Sequence, residues 1–233
     1  MIEITWLGHG SMKVRLESGE VLVFDPWVDG NPKYPKNHVF DRVDTILVSH
    51  GHFDHIHDVI PLATKFAAKV IAIHESCLWL ESKGIKTCSG MNKGGTQPSG
   101  EWSVTMTHAV HSCGIQDGDR VVYGGEAAGY VVHLPDGRAF YFAGDTNVFS
   151  DMALIRELYS PALAFLPIGD WYTMGPREAA LACRLLGAGT VIPMHFGTFP
   201  ALTGTPPALA GLLAAQDSAT KVTALEPGVP VKW

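Results

Sequence analysis

Three histidines and one aspartate lie within six consecutive residues of this chain, in the segment His50-Gly51-His52-Phe53-Asp54-His55. Neutral imidazole nitrogens and carboxylate oxygens are good ligands for zinc and related divalent ions. Packing gives no reason for these side chains to concentrate in one short stretch, so the segment predicts a metal site. A turn that begins at His50 lets His50 and His52 serve one metal ion. Asp54 and His55 can then serve a second ion close by.

Two metal ions need more ligands than this segment contains, and suitable side chains occur further along the chain. His111, Asp145 and His195 each directly follow an apolar run that is typical of a strand. Residues that follow buried strands commonly form the rim of an active site. His108 lies three residues before His111, and in strand conformation the two side chains would point to opposite faces, so only one can reach the metals. We expect this to be His111, at the exit of the strand over residues 102–110.

Short strands and helices must position these residues. Apolar, β-branched runs indicate strands, and helical periodicity bounded by Pro or Gly indicates helices. The predicted strands are residues 2–7, 12–16, 20–24, 45–49, 69–73, 102–110, 129–134, 138–143, 162–168, 190–194 and 221–225. The predicted helices are residues 57–68, 75–83, 149–159, 176–186 and 207–216. Residues 91–100 are predicted to form a Gly-rich loop, and residues 135–137 a hairpin turn.

The order of these elements indicates the fold class. Helices occur among strands in both halves of the chain, and the hairpins argue against a purely parallel sheet. We expect an α/β (α+β) fold with two mixed sheets and helices outside them. The chain has 233 residues, of which 46% are hydrophobic, and it contains no repeat or evident linker. These features predict a single domain over residues 1–233.

The composition of the chain indicates which classes of partner and which cellular compartment to expect. The formal net charge of −6 and the lack of a basic patch argue against a nucleic-acid binder, and a small-molecule substrate is expected instead. The four cysteines show no short paired spacing, which favours a reducing cytoplasm. No signal peptide and no apolar run long enough for a membrane span is evident. The oligomeric state is open, and a homo-oligomer is one alternative.

The motifs, taken in order along the chain, resemble the metallo-β-lactamase superfamily. These motifs are His50-x-His52-x-Asp54-His55, a later histidine, Asp145 within Ala-Gly-Asp-Thr and His195 within Pro-Met-His-Phe. Within this superfamily, the chain more specifically resembles the stand-alone metal-dependent hydrolase branch. Its motifs here are Trp6-Leu7-Gly8-His9-Gly10-Ser11, Asp25-Pro26-Trp27, Asn92-Lys93-Gly94-Gly95-Thr96 and His111-Ser112. That branch is similar to L-ascorbate-6-phosphate lactonases and, more distantly, to N-acyl-phosphatidylethanolamine phospholipases D.

The resemblance implies a four-layer αββα sandwich with two divalent metal ions at one edge of its sheets. The implied ligands are His50, His52 and His111 for the first ion, Asp54, His55 and His195 for the second, and Asp145 as a bridge. Zinc is the expected metal, with manganese or iron as alternatives.

The implied activity is hydrolysis by a hydroxide that bridges the metals, with Asp54 as the catalytic residue that orients it. The best-known β-lactamases of the superfamily have Cys or His where this chain has Asp145. This difference favours an ester, lactone or phosphodiester as the substrate bond. Two alternatives stay open: a mononuclear iron enzyme that oxidises sulfur compounds, and a non-catalytic metal-binding sensor.

Several residues outside the ligand set have two possible roles. The resemblance suggests that Asp25 supports a ligand histidine, although it could be an ordinary turn residue. His9 could donate to a substrate oxygen or form a structural hydrogen bond. Whether Cys113, Lys93 or Arg120 contacts the metal or the substrate is open. Aromatic residues in segments 172–175 and 195–199 could shape substrate entry or pack in loops.

Overall fold

The computed structural model describes every residue from Met1 to Trp233. The chain forms two compact units. Unit 1 comprises Met1–Asn92, Ser112–Glu126 and Leu225–Trp233, and unit 2 comprises Lys93–His111 and Ala127–Ala224. Each unit contains one seven-stranded sheet with parallel and antiparallel pairs, together with its own helices. The predicted α/β class with two mixed sheets is therefore confirmed.

Unit 1 is built on the first sheet, whose strands are rich in Val, Ile and Leu. Its strands are β1 (Glu3–Trp6), β2 (Met12–Arg15), β3 (Val21–Phe24), β4 (Thr45–Leu47), β5 (Lys69–Ile73), β6 (Cys88–Met91) and β16 (Val231–Lys232). Its helices are α1 (Phe53–Ile56), α2 (Val59–Phe66) and α3 (His74–Ser82). A separate hairpin consists of β9 (Gly114–Asp117) and β10 (Arg120–Tyr123).

The strand order of the first sheet is β16-β1-β2-β3-β4-β5-β6. The pairs up to β2–β3 are antiparallel, and those from β3–β4 to β5–β6 are parallel. Ile46, Val70 and Leu80 are among the fully buried residues of the core cluster that packs helices α2 and α3 onto this sheet. The parallel half therefore provides a rigid edge, because the carboxyl ends of β3, β4 and β5 meet there.

Unit 2 is built on the second sheet. Its strands are β7 (Thr96–Ser99), β8 (Trp102–His108), β11 (Ala128–His133), β12 (Ala139–Phe142), β13 (Leu163–Pro167), β14 (Thr190–Met194) and β15 (Lys221–Val222). Its helices are α4 (Met152–Tyr159), α5 (Pro176–Leu186) and α6 (Pro206–Ala215). Helix α5 begins with Pro176 and ends at Gly187, whose φ of 63° is the left-handed cap that glycine favours.

The strand order of the second sheet is β15-β14-β13-β12-β11-β8-β7. Strands β7, β8, β11 and β12 pair antiparallel, whereas β12, β13, β14 and β15 pair parallel. Since β8 and β12 both pair antiparallel with β11, they run in the same direction. The carboxyl ends of β8, β12 and β14 therefore lie at one edge of the sheet.

Some predicted elements differ from the structure. The predicted helix over residues 57–68 is present as the shorter α2, whereas the preceding helix α1 was not predicted. The predicted Gly-rich loop over residues 91–100 contains β7 and the last residue of β6, and the hairpin of β9 and β10 was not predicted. No helix combines the length and the apolar character that a membrane span needs.

Candidate metal centre

In unit 1, the candidate ligands follow the carboxyl ends of parallel strands. Asp25 comes directly after β3, and His50 lies three residues beyond the end of β4. The chain keeps its direction after β4 because the Val48 N–H donates to the Ile71 carbonyl at 2.9 Å. This continuity places Asp25 and His50 at the same edge of the first sheet.

Asp25 is the centre of a buried hydrogen-bond network. Its Oδ1 accepts the Ser49 N–H at 2.7 Å, and its Oδ2 accepts the Ser49 hydroxyl at 2.5 Å. The same Oδ2 lies 2.8 Å from Nδ1 of His55, and neither side chain is exposed to solvent. Burial raises the pKa of Asp25, while its contacts with His55 and Ser49 act in the opposite direction. The carboxylate therefore fixes His55 and Ser49 in place.

The same network sets which nitrogens of His50 and His55 face a metal. His50 Nδ1 lies 2.9 Å from the Ser49 hydroxyl oxygen, whose own proton is directed to Asp25. His50 therefore donates from Nδ1, and its Nε2 is the nitrogen that could bind a metal ion. By the same reasoning His55 donates from Nδ1 to Asp25, and its Nε2 is the nitrogen that could bind a metal ion. The rings of His50 and His55 lie with centroids 4.1 Å apart.

His52 and Asp54 complete the ligand candidates of unit 1. His52 Nδ1 lies 3.0 Å from His50 Nε2, and its Nε2 lies 3.2 Å from the Ser112 hydroxyl. Asp54, on α1, has its Oδ2 2.8 Å from His9 Nε2 and 3.7 Å from His55 Nε2. His9 is fully buried and has a left-handed φ of 52°. His9 thus contacts the carboxylate for which catalysis was predicted.

The loop that carries His50 and His52 is supported from behind by Cys113. The Gly51 N–H donates to Cys113 Sγ at 3.2 Å, and the thiol donates to the Gly124 carbonyl at 3.2 Å. Burial raises the pKa of the Cys113 thiol. Cys113 therefore supports this loop through two hydrogen bonds.

In unit 2, Asp145 lies beside two histidines. Asp145 follows β12 and His195 follows β14, and the two side chains are 3% and 2% exposed. Asp145 Oδ2 lies 3.1 Å from His195 Nε2 and 3.7 Å from His111 Nε2. The Thr146 hydroxyl accepts the Val110 N–H at 2.9 Å, which joins the segment before His111 to the segment after Asp145.

The structure also shows that His108 and His111 have different surroundings. Strand β8 ends at His108, two residues before the predicted end at residue 110. His108 is exposed, with its Nδ1 3.1 Å from Lys93 Nζ and its ring against Phe149. Arg120 is exposed on β10. His111, in the loop beyond the strand, is the histidine that approaches Asp145.

The donor set of each unit fits a divalent metal ion. Two nitrogen ligands of one tetrahedral ion lie about 3.3 Å apart when each bond is about 2.0 Å. The His50–His52 contact of 3.0 Å and the His195–Asp145 contact of 3.1 Å are close to this separation. Imidazole and carboxylate donors without sulfur suit zinc, manganese or iron.

Comparison with known families identifies the fold. The family described as "Beta-lactamase superfamily domain" matches residues 21–196, which include strands of both units. The chain belongs to the β-lactamase superfamily. The predicted superfamily membership is therefore confirmed, while the similarity to ascorbate phosphate lactonases stays a prediction.

The chain is also similar to individual proteins of this superfamily. A UPF0173 metal-dependent hydrolase of Solibacter usitatus is 66% identical over 232 residues, which is 100% of both chains. A second UPF0173 metal-dependent hydrolase, from Koribacter versatilis, is 54% identical over 88% of each chain. Among solved structures, Igni18, a metallo hydrolase from Ignicoccus hospitalis, is 33% identical with a TM-score of 0.86. That match covers 100% of this chain and 99% of Igni18.

The structure gives supporting roles to three residues to which the sequence analysis assigned none. Ser49 connects Asp25 to His50, Ser112 contacts His52, and Thr146 connects the loops of Asp145 and His111. Each of them is adjacent in sequence to a predicted ligand, and Ser112 and Thr146 belong to the motifs that carry the resemblance. Ser49 had no sign beyond its adjacency to His50.

Proposed function

We propose that this superfamily member is a hydrolase with two divalent metal ions. The proposed ligands are His50, His52 and His111 for one ion, Asp54, His55 and His195 for the other, and Asp145 between them. The observation that carries the proposal is the contact of Asp25 with His55 and, through Ser49, with His50. A carboxylate that orients ligand histidines is a recurrent feature of metal sites, and it raises the basicity of the ligand.

A catalytic centre is favoured over a purely structural site by the kind and number of donors. Structural zinc sites are usually closed cages with four ligands and many cysteines. The seven candidate ligands here are histidines and aspartates, and they include His111, Asp145 and His195. Seven donors are more than one four-coordinate ion requires, and they suit a pair of ions.

The chain's own residues then account for the catalytic steps. When bound, a pair of divalent ions lowers the pKa of a water ligand and polarises a carbonyl or phosphoryl oxygen. We expect Asp54 to accept a hydrogen bond from the attacking water and to take up its proton. His9 holds Asp54 through the 2.8 Å contact and thereby limits the rotation of this carboxylate. Asp54 can then pass the proton to the leaving group.

We expect the substrate to be a small molecule with an ester, lactone or phosphodiester bond. The group between the two ions would be Asp145, an oxygen donor like the ligands of many esterolytic and phosphodiester centres. Zinc is the expected metal, and manganese is the alternative that the same donors accept.

The test combines metal analysis with hydrolysis. Protein purified without chelator is analysed by inductively coupled plasma mass spectrometry and then assayed with chromogenic esters, lactones and phosphodiesters. We expect about two equivalents of zinc or manganese per chain and hydrolysis that a chelator abolishes and added metal restores. Asp119→Asn, in an exposed turn, serves as the matched control for aspartate variants of the centre. One equivalent of iron with no hydrolysis would instead support the oxidative alternative.

A further inference from the structure

Unit 2 presents two large aromatic side chains to solvent on one short loop. Trp171 is 73% exposed and Tyr172 is 62% exposed, and their ring centroids lie 6.5 Å apart. Both lie in the loop of residues 169–174, between β13 and α5. Tryptophan is normally highly buried, so its display on a loop is a feature that folding does not require.

The backbone of this loop is strained at the same position. Asp170 and Trp171 have φ angles of 69° and 62°, so two consecutive residues other than glycine adopt the left-handed conformation. Such residues persist only where the surroundings fix them, and they concentrate at functional sites. The Trp171 N–H donates to Asp170 Oδ1 at 2.6 Å, and the Asp170 N–H donates to the Met174 carbonyl at 3.0 Å. These bonds keep the loop in the conformation that exposes Trp171.

Both ends of the loop are attached to the segments that carry Asp145 and His195. The Met174 N–H donates to the carbonyl of Thr146, the neighbour of Asp145, at 3.2 Å. At the other end, a Cβ added to Gly169 would lie 2.1 Å from the His195 carbonyl oxygen. Only glycine therefore permits this approach. The loop that carries Trp171 and Tyr172 therefore begins and ends against the segments of the unit 2 ligand pair.

We propose that Trp171 and Tyr172 bind the apolar part of the substrate, so that the preferred substrate is an ester or lactone with an extended apolar acyl chain. This inference rests on the proposed hydrolase function and narrows its substrate class. Asp170 is the one charged residue within loop 169–174. Its negative charge disfavours a phosphodiester substrate, which is itself an anion. A neutral acyl chain can instead bury its surface against the indole and phenol rings.

The first experiment compares substrates that differ only in acyl length. Metal-loaded protein is assayed with p-nitrophenyl acetate and p-nitrophenyl octanoate, which share a leaving group. We expect Trp171→Asn to lower kcat/KM for the octanoate about 10-fold and for the acetate less than twofold. Asparagine tolerates the left-handed φ, so the loop keeps its backbone. Trp171→Phe should retain the preference for octanoate, and Leu158→Ala, which removes a 67% exposed side chain from α4, should change neither substrate.

Equal loss for both esters in Trp171→Asn would overturn the inference while leaving the hydrolase function intact. A wild-type protein that hydrolyses no ester would instead contradict the ester and lactone part of the proposed function. The two failures are therefore distinguishable.

A binding measurement tests the inference without turnover. Sodium octanoate and sodium acetate are titrated into metal-loaded protein while tryptophan fluorescence is recorded, and acetate controls for a carboxylate that binds the metal alone. We expect octanoate to shift the emission and to bind at least 10-fold more tightly than acetate. The shift should be absent in Trp171→Phe. Equal binding of the two anions, with no shift, would overturn the inference.

Discussion

Asp25 holds His55 through a 2.8 Å contact between Oδ2 and Nδ1, and both side chains are completely buried. The left-handed φ of 46° at Asp25 turns its side chain back toward the end of β4. The carboxylate also accepts two hydrogen bonds from Ser49. One aspartate therefore orients the residue just before the His50–His55 segment and the last residue of that segment. A residue that no metal ion would contact directly therefore determines the geometry of two that would.

This relationship predicts the effect of Asp25→Asn. The amide removes the charge that stabilises the His55 Nδ1–H and leaves an imperfect acceptor for Ser49. We expect metal affinity to fall about 10- to 100-fold, as is usual when such a partner is lost. Competition with a chromogenic chelator measures the change. Asp29→Asn, at an exposed position four residues further along, should bind metal as the wild type does. Unchanged affinity in Asp25→Asn would mean that His55 needs no carboxylate partner.

A second prediction concerns Asp54, whose proposed role is to orient the attacking water and take its proton. Asp54→Asn keeps the shape of the side chain, so the fold should be retained. We expect kcat to fall about 10²- to 10⁴-fold, the range usual for loss of a general base. Circular dichroism checks the fold, and metal analysis separates lost chemistry from lost metal. Full activity in the metal-loaded variant is the result that would refute this role.

Much of the fold could be predicted because several elements have strong local patterns. Strands β5 and β14 and helix α5 begin and end at the predicted residues. Helix α5 combines an apolar face with Pro176 at its start and Gly187 at its end, and both limits are fixed by backbone chemistry. The hairpin of β11 and β12 was likewise predicted from the turn at residues 135–137, and the structure confirms their antiparallel pairing.

The elements that were missed lack an apolar pattern. Strands β6 and β7 are edge strands that contain Gly90 and Pro98, and their residues are mostly half-buried or exposed. Their strand conformation comes from pairing with β5 and β8, which no local pattern indicates. The hairpin of β9 and β10 did carry a sign, since Gly118-Asp119, the two residues between the strands, is a typical hairpin turn with glycine first.

The site was predicted to a different extent from the fold. The ligand candidates are recognisable because histidine and aspartate concentrate at strand ends. The resemblance to the superfamily then assigns each candidate to one of the two metal ions. The supporting contacts could not be predicted, since Cys113 meets Gly51 across 62 positions of sequence. Which nitrogen of His50 faces a metal follows from the Ser49 hydroxyl, and only the folded structure brings these contacts together.

A third prediction concerns pH and His133, which lies at the end of β11 with its Nε2 2.9 Å from the Thr105 hydroxyl. Burial lowers the pKa of His133 below its ordinary value. The unfolded chain therefore binds a proton at this residue more readily than the folded chain does. Stability is unaffected well above the unfolded pKa of about 6.5 and is lost as the pH falls through that value.

Urea unfolding at pH 7.5 and pH 5.0 measures this loss. In His133→Gln the free energy of unfolding should fall by less between the two pH values than in the wild type. Both proteins are compared without metal, so that the ligand histidines contribute equally to each. An identical pH dependence of the two proteins would exclude His133 as a contributor.

The last prediction uses two glycines with opposite surroundings. A Cβ on Gly51 would lie 2.3 Å from Cγ1 of Ile115, which is fully buried and has no room to move. Gly51→Ala should therefore destabilise the protein by about 1–3 kcal/mol and displace the loop that carries His50 and His52. Gly211 lies within α6 with no atom within 4 Å of an added Cβ, so Gly211→Ala should stabilise by about 0.5–1 kcal/mol.

Thermal unfolding and metal titration of the two variants separate stability from site geometry. Because Gly51 lies between two proposed ligands, Gly51→Ala should lose metal affinity as well as stability. Gly211→Ala should gain stability and bind metal as the wild type does. If Gly51→Ala lost stability but kept its metal affinity, the loop would have moved without moving the ligand nitrogens. That result would argue that the network of Asp25 and Ser49, rather than the contact of Gly51 with Cys113, sets the positions of His50 and His52.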